Sequence, residues 1–203
     1  MKILQLVLTS AMSFSLIDRS SIIFDGYEKY YPTIPGSIFK KESTVKYTGL
    51  KDSTFNWKNH RINIRSAIVF PGEIANDDDL GRNSVLYEMA SWACFEGQAN
   101  SSSGTAVRHF SVYILDARKS KSVKLFKLPG LFGSCLDVRM DKLGRFIFDS
   151  AAYDYEKGET IPKGILFVEY AINGVDFSPT GKKAIAEFVE RDNVWKFIIK
   201  LTP

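Results

Sequence analysis

From His60 onwards the chain is written in short apolar runs, each halted by Gly, Pro or a cluster of turn-forming residues. In "HRINIRSAIVFPG" the residues Ile62, Ile64, Ile68 and Phe70 fall on alternate positions, with Ser66 as the single break and Pro71-Gly72 as the stop. "AVRHFSVYILDA", "VKLFKLPG", "GRFIFDSAA", "GILFVEYAI", "GVDFSP", "KKAIAEFV" and "NVWKFIIKL" repeat the pattern. A period of two sends successive side chains to opposite faces of an extended backbone, so this pattern predicts strands. "SVLYEMASWACFEG" suits a strand or one short helix within 85–95; the polar "QANSSSGT" after it favours two strands around a loop. The expected fold class is therefore all-β, a β-rich meander built as propeller-like blades or as a β-sandwich.

The 203 residues suffice for one domain, and 45% hydrophobic with 25% charged residues allow a real core. No run of about 18 apolar residues follows residue 20, so no membrane span is expected. Residues 1–15, "MKILQLVLTSAMSFS", read as a signal peptide: Lys2 precedes an apolar stretch, and Ser13-Phe14-Ser15 has the small-x-small form of a cleavage site. Residues 16–203 then form a single β-rich domain, with 16–60 an irregular basic and aromatic segment and 61–203 the repeated short strands. The expected location is periplasmic or secreted, or cytoplasmic if 1–15 are retained. Cys94 and Cys135 are the two cysteines. An oxidising compartment would pair them, and a reducing one would leave two small buried hydrophobes.

Two stretches share a plan. "LDVRMDKLGRFIFD" and "VDFSPTGKKAIAEF" each run through an apolar-Asp-apolar strand, a Gly turn with a basic residue, and a second strand. Asp137 and Asp176 are 39 residues apart and Gly144 and Gly181 are 37 apart, and repeats near 40 residues are typical of propeller blades. "FSPTGKKAIAEFVERDNVWKFIIKL" resembles the repeat of TolB-type, WD40-like β-propellers, in which a Phe-Ser-Pro-Asp-Gly-Lys turn joins two strands. Phe177, Ser178, Pro179, Gly181 and Lys182 are kept, Thr180 replaces the Asp, and Arg191-Asp192-Asn193 stands at the second turn. The resemblance covers about 85–203 and implies a hairpin at Ser178–Gly181, without implying any chemistry.

Most catalytic chemistries lack their signatures. No Gly-x-Ser-x-Gly elbow, Walker loop or dinucleotide-binding glycine motif occurs. His60 and His109 are the two imidazoles, and two His with two Cys far apart do not make a structural zinc site. No catalytic residue is selected, and no metal or cofactor is expected. Asp77, Asp78 and Asp79 form the densest carboxylate run and read as a solvated loop, with a weak Ca²⁺ site or a contact for a basic partner as the sharper alternative.

Charge is unevenly spread. Residues 27–65 hold eight Lys/Arg against three Asp/Glu, while the remainder is nearly balanced at 19 and 20. Lys40, Lys41, Lys46, Lys58 and Arg61, interleaved with aromatic residues, make a candidate anion-binding surface. For an exported chain this points to an acidic protein or envelope component rather than nucleic acid. A second basic cluster, Arg118, Lys119, Lys121, Lys124 and Lys127, reads as the exposed side of one hairpin.

The functional expectation is a non-enzymatic, exported binding protein with a protein partner. Its sharpest form is an immunity-type inhibitor that occludes a toxin's active site. Loops 73–84 and 96–105 would reach the partner, with Asp77, Asp78, Asp79, Tyr87, Trp92 and Arg108 as contact residues. The alternatives are an envelope hydrolase using Asp or Glu at strand ends, and a propeller-like scaffold protein of the envelope.

Overall fold

The computed structural model describes residues 22–23, 38, 44–46, 54–77, 79–80, 84–98, 109–118, 122–190 and 196–202. The strands are β1 (Ile22–Ile23), β2 (Thr44–Lys46), β3 (Thr54–Trp57), β4 (His60–Asn63), β5 (Ile68–Val69), β6 (Val85–Glu88), β7 (Trp92–Gln98) and β8 (Phe110–Asp116). There follow β9 (Lys124–Lys127), β10 (Arg139–Met140), β11 (Phe146–Asp154), β12 (Gly164–Asn173), β13 (Asp176–Phe188) and β14 (Lys196–Thr202). The chain is all-β; among the described residues the helical pieces are two 3-10 turns, Ile64–Ser66 and Cys135–Asp137.

One six-stranded sheet runs β2-β6-β7-β8-β9-β5 and the other β1-β14-β13-β12-β11-β10, while β3 and β4 form a separate hairpin. Among the described residues every strand pairing is antiparallel except β5 with β9. The sequence of β8 explains the layering. Val112, Tyr113, Ile114 and Leu115 are all fully buried, because β8 is covered on both faces. Val112 and Ile114 join Cys94 and Phe126 in a core shared with Phe146, Phe148 and Ile172 of the other sheet. Tyr113 and Leu115 turn the opposite way, into a core with Phe95 of β7 and with Phe55, Trp57 and Ile62, which the β3–β4 hairpin supplies. Each such Phe or Ile contributes roughly 1.5–3 kcal/mol by leaving water. A third cluster, including Ile165, Phe167, Ala186 and Phe197, covers the far face of the β11–β14 sheet, with Phe132 packed on it.

The passage between the sheets, residues 128–138, is tied down at several points. Cys94 on β7 is disulfide-bonded to Cys135, with their Cα atoms 5.7 Å apart. Closing a loop of this length stabilises by about 3–4 kcal/mol in the chain-entropy description. The Glu96 carboxylate accepts hydrogen bonds from Ser134 Oγ at 3.0 Å and from the Cys135 N–H at 2.8 Å.

Four local expectations are corrected. The 85–95 segment is a hairpin of β6 and β7, with no helix: Leu86 faces the hairpin-side core and Tyr87 the intersheet core, which is period two. The run from Ile62 to Phe70 is broken rather than one strand, since the Asn63 side chain accepts from the Arg65 N–H and caps the 3-10 turn at Ile64. Residues 16–60 are not wholly irregular; they supply β1, β2 and β3.

The fourth concerns Ser178-Pro179-Thr180-Gly181, which lies inside the continuous strand β13 instead of turning a hairpin. Pairing runs Asn173↔Asp176 to Tyr170↔Pro179, then resumes at Val168↔Lys183, so β13 carries two extra residues opposite Glu169. The residues flanking the irregularity still find partners on β12, so the chain bulges and does not reverse. Gly181, at φ +92, provides the backbone conformation that the bulge needs. Asp137 and Asp176 are accordingly not structural equivalents: Asp137 is buried in a 3-10 turn, and Asp176 begins β13 in solvent.

Candidate functional site

Antiparallel strands of similar length bring alternate turns to one end of a sheet. Here the β3–β4, β6–β7, β8–β9, β10–β11 and β12–β13 turns meet at one pole, and hydrogen bonds between turns fix them there. Lys58 Nζ donates to the Ala90 carbonyl at 2.7 Å, and the Ala117 N–H donates to Ser91 O at 2.9 Å. Arg118 Nη1 donates to Gly144 O, and Lys124 Nζ to Gly174 O at 3.0 Å. The last two contacts join the turns of one sheet to those of the other.

Arg118 is the centre of this pole. Its guanidinium makes a two-pronged pair with Asp116, at 2.9 and 2.7 Å, and lies over the rings of Trp92 and Phe146 at 5.3 and 4.6 Å. Burial raises the pKa of Asp116, but the bonds from Arg118 outweigh it and hold the carboxyl below its ordinary range. The same bonds raise the pKa of Arg118.

Between the sheets at this end lies a cavity of about 210 Å³, whose charged lining is Arg118, Lys124, Arg145 and Asp116. Lys124 also lines a second cavity, of about 420 Å³, with His60 and Arg61. Around them the turn tips expose apolar side chains: Leu143 is 77% exposed, Val175 53% and Met89 39%. Leu143 stands on an ordered turn, since Asp141 Oδ1 accepts from the N–H groups of Leu143 and Arg145.

Two buried charge clusters stand elsewhere. Asp79 Oδ2 meets Lys127 Nζ at 2.6 Å and accepts from the Tyr113 hydroxyl and the Asn76 N–H. Burial raises the pKa of Asp79, but the bonds from Lys127, Tyr113 and Asn76 together depress it below the usual carboxylate value. The Tyr113 phenol is pushed up, by burial and then by Asp79. The second cluster surrounds Arg139. Its Nη2 lies 2.7 Å from Asp149 and 3.5 Å from Asp137, and its Nη1 lies 3.4 Å from Glu169. The bulge in β13 completes this cluster, bringing Thr180 Oγ1 to 2.7 Å and Lys182 Nζ to 3.3 Å from Glu169 Oε1.

Asp137 is 3% exposed; one carboxyl oxygen accepts from the Asp149 N–H, and the other has no hydrogen-bond partner among the described residues. Burial, and next the Asp149 charge, raise its pKa well above the ordinary value, against the pull of Arg139. A raised acid pKa means that the folded chain holds this proton more tightly than the unfolded chain. The Asp137 contribution to stability therefore falls as pH rises from about 4, the unfolded pKa, towards the folded one. Asp137→Asn should retain its fold and lose stability less steeply than the parent between pH 5 and 8, as urea unfolding at each pH would measure. An unchanged slope would place the proton elsewhere.

The sequence-selected residues fare unequally. Asp77 pairs with Arg65 on the surface, whereas Asp79 turns inward to Lys127, so two of the three adjacent carboxylates take separate cations of the protein. Asp79 and Tyr87 are buried and belong to the core rather than to a contact surface, a correction due to β6 and the pair Asp79 and Leu80 packing inward. Trp92 is half-buried under Arg118, and its indole N–H has no partner among the described residues. Arg61 lines the larger cavity, and Lys58 tethers the β6–β7 turn. Asp78, Arg108, Lys40 and Lys41 lie outside the described residues, as do the Lys46 side chain, the segment 1–15 and most of loop 96–105.

Arg145, Leu143 and Val175 were not selected, because no local pattern marks turns that converge only after folding. Among the described residues no helix is long and apolar enough to cross a membrane. Comparison of the chain with protein-family models, with curated proteins and with solved structures finds no match.

Proposed function

We propose that the protein is an extracytoplasmic binding protein that engages a protein partner through the pole of turns. One observation above all supports this reading: Leu143, Val175 and Met89 project from turns that are fastened to one another around Arg118 and Lys124. Isolated exposed apolar residues need no explanation, but several on one preorganised end, ringed by cations, have the composition of a contact surface. Held turns also lose little freedom on binding, which favours affinity. The buried disulfide supports an oxidising compartment. In its sharpest form the partner is a toxin enzyme and the pole occludes its active site in the manner of an immunity-type inhibitor, with Leu143 the residue best exposed to enter a cleft. The hydrolase reading would draw on the carboxylates around Arg139, but Asp137 is too deeply buried there for a substrate to reach it.

The test begins with a photo-crosslinking residue placed at Leu143, at Val175 and, at the opposite end of β11 and β12, at Ile161. The partner so captured is purified and its affinity measured against Leu143→Asp, Val175→Asp and Ile161→Asp. Substitution at the pole should weaken binding by about tenfold or more, the effect of losing one central contact, with Ile161→Asp close to the parent. Equal capture from Ile161, or an affinity indifferent to both pole changes, would defeat the proposal.

A further inference from the structure

The outer edge of β4 is built to pair with another strand: we infer that it takes up an extended polypeptide segment of a partner, which adds to the β3–β4 hairpin as a third strand. The inference concerns a strand edge rather than the turn tips, so it goes beyond the reading of the pole and does not depend on it.

Strand phase decides which backbone groups face outward. Lys58 and Asn59 join β3 to β4, and Trp57 pairs with His60 across them. A pair that closes a two-residue turn exchanges both of its hydrogen bonds, and bonded pairs alternate with open ones along an antiparallel ladder. Phe55↔Ile62 is then the next bonded pair, while Asn56↔Arg61 and Thr54↔Asn63 turn their N–H and C=O groups away from the hairpin. On the β4 side these are the groups of Arg61 and Asn63. Among the described residues β4 pairs with β3 alone, and Ser66 Oγ, donating to Asn63 O at 2.7 Å, is the partner found for the outward groups.

A second open edge meets the same space. The Leu128 N–H donates to Val112 O, so the bonded pairs of β8 and β9 recur at Ile114↔Phe126 and Asp116↔Lys124. Val123 and Leu125 therefore direct their N–H groups towards the side of β5. That strand pairs with Phe126 and Lys127 only, because the residues before it, Ile64–Ser66, are wound into a 3-10 turn. The cavity of about 420 Å³ is lined by Arg61 and Asn63 of one edge and by Val123 and Leu125 of the other.

The lining selects the occupant. Alternating N–H and C=O groups are matched by another extended backbone, and side chains in the cavity then set specificity. Ile68 and Val123 line it half-buried beside the polar Asn63 and Lys124, which suits a segment of alternating apolar and polar residues. The edge also lacks the usual guards, since β4 runs in unbroken register with neither Pro nor bulge. The first half of β13, which β14 does not reach, carries both.

The probe is acetyl-Thr-Val-Thr-Val-Thr-Val-amide, titrated into the isotope-labelled full chain beside an analogue N-methylated throughout. The amides of Arg61 and Asn63 should shift and exchange more slowly with solvent as the peptide is added. Methylation, which removes every main-chain donor, should lower affinity about tenfold or more. Arg61→Pro deletes one outward N–H without touching a β3 bond and should weaken binding about threefold or more, whereas Arg61→Ala should stay close to the parent. Unchanged amide positions in β7 and β8 show that the variants fold, and if Arg61→Pro does not, the parent with the methylated analogue still decides. No shift at millimolar peptide, shifts confined to another edge, equal affinity for the methylated analogue, or an equal loss in Arg61→Ala and Arg61→Pro would each overturn the inference.

Discussion

Asp79→Ala should lower the stability of the fold by roughly 3–5 kcal/mol at neutral pH, the cost of breaking a buried ion pair from one side. The Lys127 side chain is only 5% exposed and has its Nζ on Asp79 Oδ2 and on the Ile74 carbonyl, above the ring of Tyr113. Removing the carboxylate leaves a buried ammonium facing one carbonyl, and a buried phenol without its acceptor. Urea unfolding measures the loss as a lowered midpoint at unchanged slope. Asp79→Leu combined with Lys127→Met should recover much of it, because the pair owes its stabilising effect to the desolvated charge that each partner offsets. A loss below about 1 kcal/mol would mean that Lys127 reaches solvent without help.

The pH dependence of this pair has a definite sign. Because the folded Asp79 pKa is depressed, the stability it contributes is full above the unfolded carboxylate pKa of about 4 and is lost as pH falls through the folded value. The packing around it is equally unforgiving. A side chain added at Gly97 would strike the Asp79 carbonyl oxygen, so the Asp79 backbone lies directly on β7.

The strand content was legible because a short apolar run stopped by turn-forming residues is a local signal: Val112, Tyr113, Ile114 and Leu115 could be read as a strand from their neighbours alone. The hairpin within 85–95 was not legible: the segment reads as one strand or one short helix, since Leu86 and Tyr87 satisfy either period until both faces are known to be buried. The Ser-Pro-Thr-Gly stretch misled for a related reason. Turn chemistry also fits a bulge, and the choice depends on whether β12 offers partners on both sides of Glu169. Asp79 was read as solvated because its partner Lys127 lies 48 residues away. The pole was half legible. The basic residues near 118–127 were visible as a group on one hairpin, but Lys127 turns inward, and Leu143 and Val175 join the others only through the stacking of the two sheets. Cys94 and Cys135 were visible as a potential pair, and their bond required β7 and the intersheet passage to meet.

The pole and the buried clusters divide the charges of the molecule by role. Cations at the pole lie at or near the surface, where solvent screens them and a partner can reach them. Those at Lys127 and Arg139 are buried and already matched, so they act on the fold. This division makes a clean separation possible in experiment: substitutions of the exposed tips Leu143 and Val175 should alter binding with little effect on unfolding, and substitutions in the clusters should do the reverse.

Arg139→Met is the second large effect, expected at roughly 3–5 kcal/mol of destabilisation at neutral pH. The carboxylates of Asp149 and Glu169 are 8% exposed, and both rest on this guanidinium. Burial opposes the Arg139 charge, but Asp137 and Asp149 outweigh it and keep the pKa raised, so the cation is present throughout the ordinary pH range. Without it, Lys182 remains beside Glu169, but at 76% exposure its charge is well screened and replaces little. Arg139 also pulls down the pKa of Asp137, so its loss leaves burial and the Asp149 charge to raise that pKa further. The variant should therefore gain more stability than the parent as pH falls through the neutral range. Urea midpoints for both proteins at each pH would show the difference in slope. Parallel slopes would mean that water or Lys182 neutralises the cluster, and that Arg139 is one contact among several rather than the group that allows three acids to share this part of the sheet.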